Sequence, residues 1–436
     1  MFNFFFYALR LFRAVLVYIL SAACVGSLQP AKPDSTYGMT DKAEQYAARA
    51  KILAASTEAN FYDKWSGMLH NNTRNRFTPA GCWDGTALLT MYTKLTALDA
   101  KRIKDVDRAI KTLDFYGRKT PGGGFSAYTG TWNFRRNNVT EGEVFYDDNM
   151  WVGRDLVELY RITQDKKYLE RAITIADMLI AEGWVDLDEA MFAEHFGSAP
   201  GGSLGGFYWK DDHDALHACS NGPAIQFLTN LSQVADNGKG DVYLDYAQRS
   251  YRFLRYLEND RGVFWDLMRF HKDEDNQITG ISRLDGAFWS YNSGTPISSA
   301  VALYQVTGET AYLDDAIHWG QSADAFFPRE SGVPGVMTFT DLPWFREILL
   351  MGYIDLYEYD HDALGYIQKM EAAVNYGYEH NRLNGILGIY NKNVISKDWV
   401  GGFKDDAEKQ TATLRDQLPC AGIYASLAKF YAELDG

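Results

Sequence analysis

The chain has 436 residues, of which 46% are hydrophobic and 15% aromatic, and its formal charge is −14. This hydrophobic content is enough for a large core, and the acidic balance argues against nucleic acid or an anionic membrane surface as a partner. The 28 Tyr, 25 Phe and 11 Trp residues exceed what we expect from packing alone. Aromatic surfaces on which sugar rings stack are one explanation.

The first 24 residues have the pattern of an export signal. Arg10 and Arg13 precede a short apolar run, three small residues follow, and Cys24 comes next. Two outcomes remain open: ordinary signal-peptidase cleavage, or lipid attachment at Cys24, because the residues before it resemble a bacterial lipobox with its leucine one position early. We favour lipidation at Cys24, a tether over 25–40, and a location at the cell surface or in the periplasm.

The other cysteines are Cys82, Cys219 and Cys420. Their number is odd and no Cys-x-x-Cys spacing occurs, so we predict neither a disulfide framework nor a cysteine-ligated zinc site. Small apolar residues of the core are the favoured interpretation for all three.

From residue 40 onward, the hydrophobic periodicity predicts helices in pairs. A charged helix over 40–60 comes first. Six apolar helices then each follow a loop with glycine, proline or aromatic residues, and their predicted starts are Asp84, Asp148, Asn221, Asn292, Trp344 and Gln417. Each of the first five is followed by a second helix, and a Tyr-Leu pair marks the start of that helix at 168, 243 and 312. This recurrence indicates internal repetition.

Helices that are apolar all round must be surrounded by protein. Six pairs with apolar inner and amphipathic outer helices therefore predict an all-α fold, a closed double ring, as one domain over 41–436. The helix over 40–60 would be the outer partner of the last inner helix.

The loops that lead into the inner helices would converge on one face. Aromatic, amide and charged side chains gather there: Trp83, Asp84, Asp147, Asp148, Asn149, Trp151, Trp209, Asn221, Trp289, Tyr291, Asn292, Trp344 and Arg346. A concave site of this kind suits a neutral carbohydrate. Core packing is the alternative for each aromatic residue, and helix capping is the alternative for Asn149, Asn221 and Asn292.

The adjacent carboxylates of Asp147 and Asp148 have two interpretations. They could cap a helix and place negative charge at its positive end. They could equally supply the acid and the carboxylate that glycosidic bond cleavage needs, each raising the proton affinity of the other.

A second motif, His213 to His217, has a His-x-x-x-His spacing that approaches a zinc-protease pattern. It lies between a glycine-rich loop and Asn221, and no third ligand is evident. We therefore expect a polar loop and no metal site.

The motif Tyr146-Asp147-Asp148-Asn149-x-Trp151 resembles the signature of glycoside hydrolase family 76, the α-1,6-mannanases. The segments Gly205 to Trp209, Ser220-Asn221 and Tyr291-Asn292-x-Gly294 are also similar, in the family's order, and the resemblance covers 41–436. It implies an (α/α)6 barrel, no cofactor, and retaining hydrolysis with Asp147 as nucleophile and Asp148 as acid/base.

Two departures concern the substrate subsites. Ser293 stands where glutamine is expected, and Phe345-Arg346-Glu347 stands where a Phe-Lys-Gly-like run is usual. We therefore expect a monomeric, endo-acting α-1,6-mannanase whose partner is α-mannan or a manno-oligosaccharide. The alternatives are a mannan transglycosidase and a surface glycan-binding protein without activity. An unsaturated-uronide hydrolase ranks last, because Arg346 is the one conspicuous cation for an acidic sugar.

Overall fold

The computed structural model describes residues 41–74, 78–120, 122–130, 142–199, 201–275, 277–386 and 390–434. The predicted signal, Cys24 and the predicted tether lie outside this part of the chain. Within it, no helix combines the length and the apolar character that a membrane crossing requires.

The described residues form fourteen helices. In chain order they are α1 (Asp41–Phe61), α2 (Cys82–Leu98), α3 (Ile103–Leu113), α4 (Tyr146–Thr163), α5 (Lys166–Met178), α6 (Glu189–Phe196), α7 (Ala218–Ser232), α8 (Gly240–Leu254), α9 (Tyr291–Thr307), α10 (Thr310–Phe326), α11 (Pro343–Tyr357), α12 (Ala363–His380), α13 (Asp406–Gln410) and α14 (Leu414–Leu434).

Six of these helices close into an inner ring, because α2, α4, α7, α9, α11 and α14 pack in this order and α14 packs back on α2. Each also packs on an outer helix, in the same order α3, α5, α8, α10, α12 and α1. The closed double ring, with α1 as the outer partner of α14, confirms the predicted (α/α)6 barrel. Inner helices are buried over most of their surface, as the run of buried residues from Tyr291 to Leu303 in α9 shows.

The tight packing of the ring depends on glycine where α9 meets α11. A Cβ on Gly294 would lie 2.5 Å from the Ile348 carbonyl oxygen, and one on Gly352 would lie 2.7 Å from the Gly294 carbonyl oxygen. The two backbones therefore touch directly, which no larger residue allows.

Short antiparallel strands precede every inner helix. They are β1 (Tyr62–Asp63), β2 (Met68–Leu69), β3 (Gly117–Lys119), β4 (Phe125–Tyr128), β5 (Trp184–Leu187), β6 (Leu204–Phe207), β7 (Ala215–His217), β8 (Leu267–Lys272), β9 (Ile278–Asp285), β10 (Arg329–Glu330), β11 (Met337–Thr338), β12 (Arg382–Ile386) and β13 (Tyr390–Ile395). They pair as five two-stranded sheets and one three-stranded sheet, β7-β8-β9, in which Leu216 faces Met268. We call this end of the ring, where inner helices begin, the cleft end, and the opposite end the turn end.

The inner helices begin one to three residues earlier than predicted, for example at Ala218 and not at Asn221. The physical reason is a repeated contact made by three first-turn amides, Asn149, Asn221 and Gln417, which we call the anchor amides. Each accepts from the backbone N–H and donates to the backbone carbonyl of the last residue of a strand, at 2.7–3.0 Å, namely Tyr128, Phe207 and Ile395. The anchor amides join each of these inner helices to a strand that precedes it, and they do not cap the start of the helix.

Candidate active site

Asp147 and Asp148 lie in the first turn of α4, half-buried at the cleft end. The Oδ1 atom of Asp147 accepts from the Asp148 backbone N–H at 3.0 Å, and its Oδ2 atom accepts from the Trp209 indole N–H at 3.1 Å. The Cys219 thiol also donates to Asp147. Helix capping thus accounts for one oxygen of Asp147 and, among the described residues, for neither oxygen of Asp148.

The two carboxyls have unequal proton affinities. Burial raises the pKa of Asp147 to about 7, while its hydrogen bonds from Asp148, Trp209 and Cys219 favour the charged form. Burial raises the pKa of Asp148 well above its usual range, the negative charges of Asp147 and Asp84 raise it further, and the cation of Arg415 opposes them. Asp148 therefore binds its proton more tightly than Asp147 does.

Arg415, in the first turn of α14, was missed by the sequence analysis. Its Nε and Nη2 atoms lie 3.4 Å from the two carboxylate oxygens of Asp84, and its guanidinium carbon lies 3.6 Å from the centre of the Trp83 ring. One signal could have found it. Arg415 precedes the anchor amide Gln417 by two residues, just as Asp147 precedes Asn149 and Cys219 precedes Asn221.

The aromatic residues of the predicted site divide into two groups. Trp209 lies half-buried against Asp147 and packs on the His217 ring at 5.0 Å. The ring centres of Tyr291 and Phe345 lie 4.1 Å apart, and Phe345 stacks on Trp83 with their ring centres 6.1 Å apart. Arg415 covers one face of Trp83, so that face is closed to a sugar ring.

Trp151 and Trp344 belong to the second group. They are 5% and 3% exposed and pack edge-to-face at 5.7 Å inside the ring. The structure places both in the core and not at a surface that a sugar could reach, which corrects their prediction as substrate-binding residues.

Four more predicted substrate contacts are corrected for a similar reason. Asn149 and Asn221 are fully buried and act as anchor amides. Asn292 is fully buried, and its Nδ2 atom donates to Asp266 at 2.9 Å. Asp84 is also buried, accepts from the Gly81 backbone N–H at 2.9 Å, and acts on the site through its charge.

Arg346 is likewise structural. Its Nη1 atom donates to the Lys397 carbonyl at 2.9 Å, its Nη2 atom donates to the Asp341 carbonyl at 2.5 Å, and its guanidinium covers the Trp399 ring. Being 4% exposed, it offers no basic subsite for an acidic sugar.

The His213–His217 segment contains no helix, but the predicted polar loop covers only its first two residues, because Ala215–His217 form the strand β7. His213 lies 3.0 Å from the Glu182 carbonyl, whereas His217 packs on Trp209, and burial lowers the pKa of His217 to about 4. Within the described part of the chain, no three His, Cys, Asp or Glu residues are grouped to hold a metal ion. Cys82, Cys219 and Cys420 are free and buried, as predicted.

The family model of glycosyl hydrolase family 76 matches residues 121–392, more than half of the chain. The chain belongs to this family. It is therefore a glycoside hydrolase, and the resemblance of its Tyr-Asp-Asp-Asn motif is confirmed. No curated protein is similar enough to count as a match.

Solved structures of family 76 share the fold. The mannosidase of Bacteroides thetaiotaomicron is 23% identical, with a TM-score of 0.71 over 90% of this chain and 99% of that one. The α-1,6-mannanase of Salegentibacter sp. HEL1_6 is 22% identical, with a TM-score of 0.65 over 88% of this chain and 99% of that one. An inactive variant of the latter, with two consecutive aspartates changed to asparagine, has been solved with α-1,6-mannotriose (22% identity, TM-score 0.64, the same coverage).

Proposed function

We propose that this family 76 glycoside hydrolase is an endo-acting α-1,6-mannanase that cleaves α-mannan backbones with retention at the anomeric carbon. The observation that carries the proposal is the pair of adjacent carboxyls at the cleft end, of which Asp147 accepts from two N–H donors and Asp148, among the described residues, accepts from none. Unequal affinities suit one carboxylate that attacks and one carboxylic acid that protonates.

In the first step of this mechanism, the Asp147 carboxylate attacks the anomeric carbon while Asp148 gives its proton to the glycosidic oxygen. The bond to that oxygen breaks, and a mannosyl ester of Asp147 forms. In the second step, Asp148, now a carboxylate, takes a proton from water, and the water oxygen attacks the anomeric carbon. Asp147 leaves as a carboxylate, so both groups return to their starting state.

The three donors on Asp147 fit the role of nucleophile. The Asp148 backbone N–H, the Trp209 indole and the Cys219 thiol all favour its charged form. Asp148 has no such donor among the described residues and lies beside two other carboxylates, which favours its protonated form. The same pattern therefore supports each role without reference to a relative.

The relatives support the substrate. The Salegentibacter mannanase is inactive when two consecutive aspartates are replaced, and that variant binds α-1,6-mannotriose. We propose the same class of substrate for this chain, in which Asp147 and Asp148 are the consecutive pair. Half-buried Trp209 beside Asp147 is the best-placed aromatic contact for the sugar.

The test is product analysis on unbranched α-1,6-mannan with wild type, Asp147→Asn and Asp148→Asn. We expect short oligosaccharides of many lengths from wild type only, and NMR of the earliest products should show the α-anomer. The matched control is Asp165→Asn, because Asp165 accepts from a backbone N–H at the start of α5 and has no catalytic role.

Four outcomes would overturn the proposal. Release of mannose alone would exclude endo action, and release of the β-anomer first would exclude retention. Lengthened chains with an added acceptor would establish a transglycosidase, whereas mannan binding without turnover would establish a glycan-binding protein.

We also propose that the chain is exported and anchored by a lipid at Cys24, with a tether over 25–40, and that its domain over 41–436 acts as a monomer. Labelling of cells with a fatty acid analogue should mark wild type and not Cys24→Ser. Light scattering on the purified domain should give the mass of one chain, and a dimer mass would contradict the last point.

A further inference from the structure

Arg415 is held rigidly by two neighbours on α2. Both its Nε and its Nη2 atoms face the buried Asp84 carboxylate at 3.4 Å, and the flat guanidinium lies on the Trp83 ring. Asp84 is itself fixed, since it accepts from the Gly81 backbone N–H. A planar cation with a forked partner and an aromatic face loses little freedom when it acts on a third group.

That third group is Asp148. At the cleft end, α2 packs on both α4 and α14, and the charges that act on Asp148 are Asp84 from α2, Asp147 from its own helix, and Arg415 from α14. The Cys82 thiol of α2 also lies in the field of Asp148, while Cys219 of α7 faces Asp147. Among the described residues, Arg415 is the one cation in this set, with Asp416 as its sequence neighbour.

We propose that Arg415 is a positioning residue of the reaction, whose clamped guanidinium stabilises the carboxylate that Asp148 becomes after it protonates the leaving oxygen. The inference rests on the proposed acid/base role of Asp148. The buried Lys94–Glu347 pair inside the ring shows the alternative, in which a cation bonds its carboxylate directly and leaves it no role in proton transfer. Arg415 instead bonds Asp84 and leaves the Asp148 oxygens free for the substrate.

The physical need for such a charge arises from the two acidic neighbours of Asp148. When Asp148 gives up its proton, the negative charge of Asp84 disfavours the new negative charge on Asp148 unless a cation opposes it. A fixed cation lowers this cost in the first step. It also keeps Asp148 ionised for the second step, in which it must accept a proton from water.

The experiment measures kcat/KM against pH on unbranched α-1,6-mannan for wild type, Arg415→Met and Arg415→Lys. The alkaline limb reports loss of the Asp148 proton in the free enzyme. Arg415→Met should move this limb upward by about half to one pH unit and lower kcat about tenfold, because Asp148 becomes a weaker acid. Arg415→Lys keeps the charge, so its alkaline limb should lie at the wild-type pH, even if the poorer fit of lysine on Trp83 raises KM.

Arg249 on α8 provides a matched control. Its guanidinium lies over the Trp184 ring at 5.1 Å and its Nη2 atom pairs with Asp186 at 2.5 Å, so the same three residue types meet away from the catalytic pair. Arg249→Met should leave both limbs in place. Each methionine variant loses an arginine that contacts one tryptophan and one aspartate, and thermal unfolding measures how much stability that loss costs. A shift of the alkaline limb in Arg415→Met alone then reports the lost charge.

Asp84→Asn tests the sign of the effect. It removes a negative charge beside Asp148 and leaves the Arg415 cation unopposed, so the alkaline limb should move to lower pH, opposite to Arg415→Met. An asparagine oxygen can still accept from Gly81.

An alkaline limb that moves no more in Arg415→Met than in Arg249→Met would overturn the inference, as would a lysine variant no closer to wild type than the methionine variant. Failure of the proposed function would look different, because wild type itself would then release no products from the mannan.

Discussion

The two ends of the inner ring both contain buried carboxylates, but the charges are arranged differently. Toward the turn end, a cavity of about 250 Å³ lies between α2, α4, α7, α11 and α14. Asp155, which lines it, pairs with Arg154 at 3.2 Å, and deeper in the ring Glu347 pairs with Lys94 at 2.6 Å. At the cleft end, the oxygens of Asp147 meet N–H and thiol donors, and Arg415, whose charge acts on Asp148, bonds Asp84.

This difference shows that burial alone does not mark a catalytic carboxyl. Burial raises the pKa of Asp155 and Glu347 as well, and a directly bonded cation opposes the rise at each of them. A carboxyl whose cation is bonded has a structural role, because the pair must stay intact. A carboxyl such as Asp148 can change its protonation state, because the cation that acts on it bonds a different carboxylate.

The largest expected effect separates these two kinds of aspartate. Asp147→Asn should lower kcat on α-1,6-mannan about 10⁴-fold, equivalent to about 5.5 kcal/mol, because it removes the nucleophile. Its unfolding free energy should not fall, since repulsion with Asp148 is lost. Asp155→Asn is the comparison variant: it should lose stability and keep its activity per folded molecule. A stable, inactive Asp155→Asn protein would contradict the distinction between structural and catalytic aspartates.

The next effect concerns the paired interior. Lys94→Met should lower the free energy of unfolding by about 3 kcal/mol, because Glu347 is left charged and buried. Urea unfolding measures this loss. A double variant, Lys94→Met with Glu347→Leu, should recover most of it, since no unpaired charge remains. If the double variant were less stable than Lys94→Met, the pair would not be the cause.

A smaller effect links the catalytic pair to pH. The folded-state pKa of Asp147 is about 7, above the ordinary 3.8, so its protonated form favours folding. This contribution is fully present below about pH 4 and is lost as the pH rises toward 7. Compared with Asp147→Asn, wild type should therefore lose about 2 kcal/mol of unfolding free energy over this window, a figure reduced for the partial exposure of the group. Parallel curves for the two proteins would contradict it.

The smallest effect tests one donor to the nucleophile. Trp209→Phe should lower kcat/KM about tenfold, equivalent to about 1.4 kcal/mol, and should move the acidic limb of the pH profile upward, because Asp147 loses a bond to its charged form. Trp184→Phe is the control, since its indole N–H bonds Asp186 at 2.7 Å in the same way. Equal shifts in both variants would show that the acidic limb does not report Asp147.

Periodicity and the six polar or aromatic helix starts were sufficient to predict the double ring, including α1 as the partner of α14. The strands were not predicted, because most have only two to four residues, and longer ones such as β8 (Leu267–Lys272) show no regular alternation of apolar and polar residues. Asn149 and Asn221 were interpreted as caps or substrate contacts. Their actual partners, Tyr128 and Phe207, are the last residues of short strands, and the pairing of those strands with the helix is visible only in three dimensions.

The catalytic pair was predicted as a pair, but its surroundings were not. Arg346 was named as the conspicuous cation and Arg415 was not considered, yet the Arg346 guanidinium is buried on Trp399. Arg415 lies 331 residues from Asp84 along the chain, and closure of the ring brings the two together. Contacts of this separation follow from topology and leave no local pattern.

The direction of α1 determines how the enzyme is presented. Lys42, near the start of α1, lies 3.7 Å from the ring of Tyr431, near the end of α14, so both ends of the described fold lie at the turn end. A helix of 21 residues is about 30 Å long, and α1 runs that distance toward the cleft end. A protein immobilised on a resin through residues close to 41 or 434 would therefore hold its cleft outward, open to a polysaccharide chain too large to diffuse beneath it.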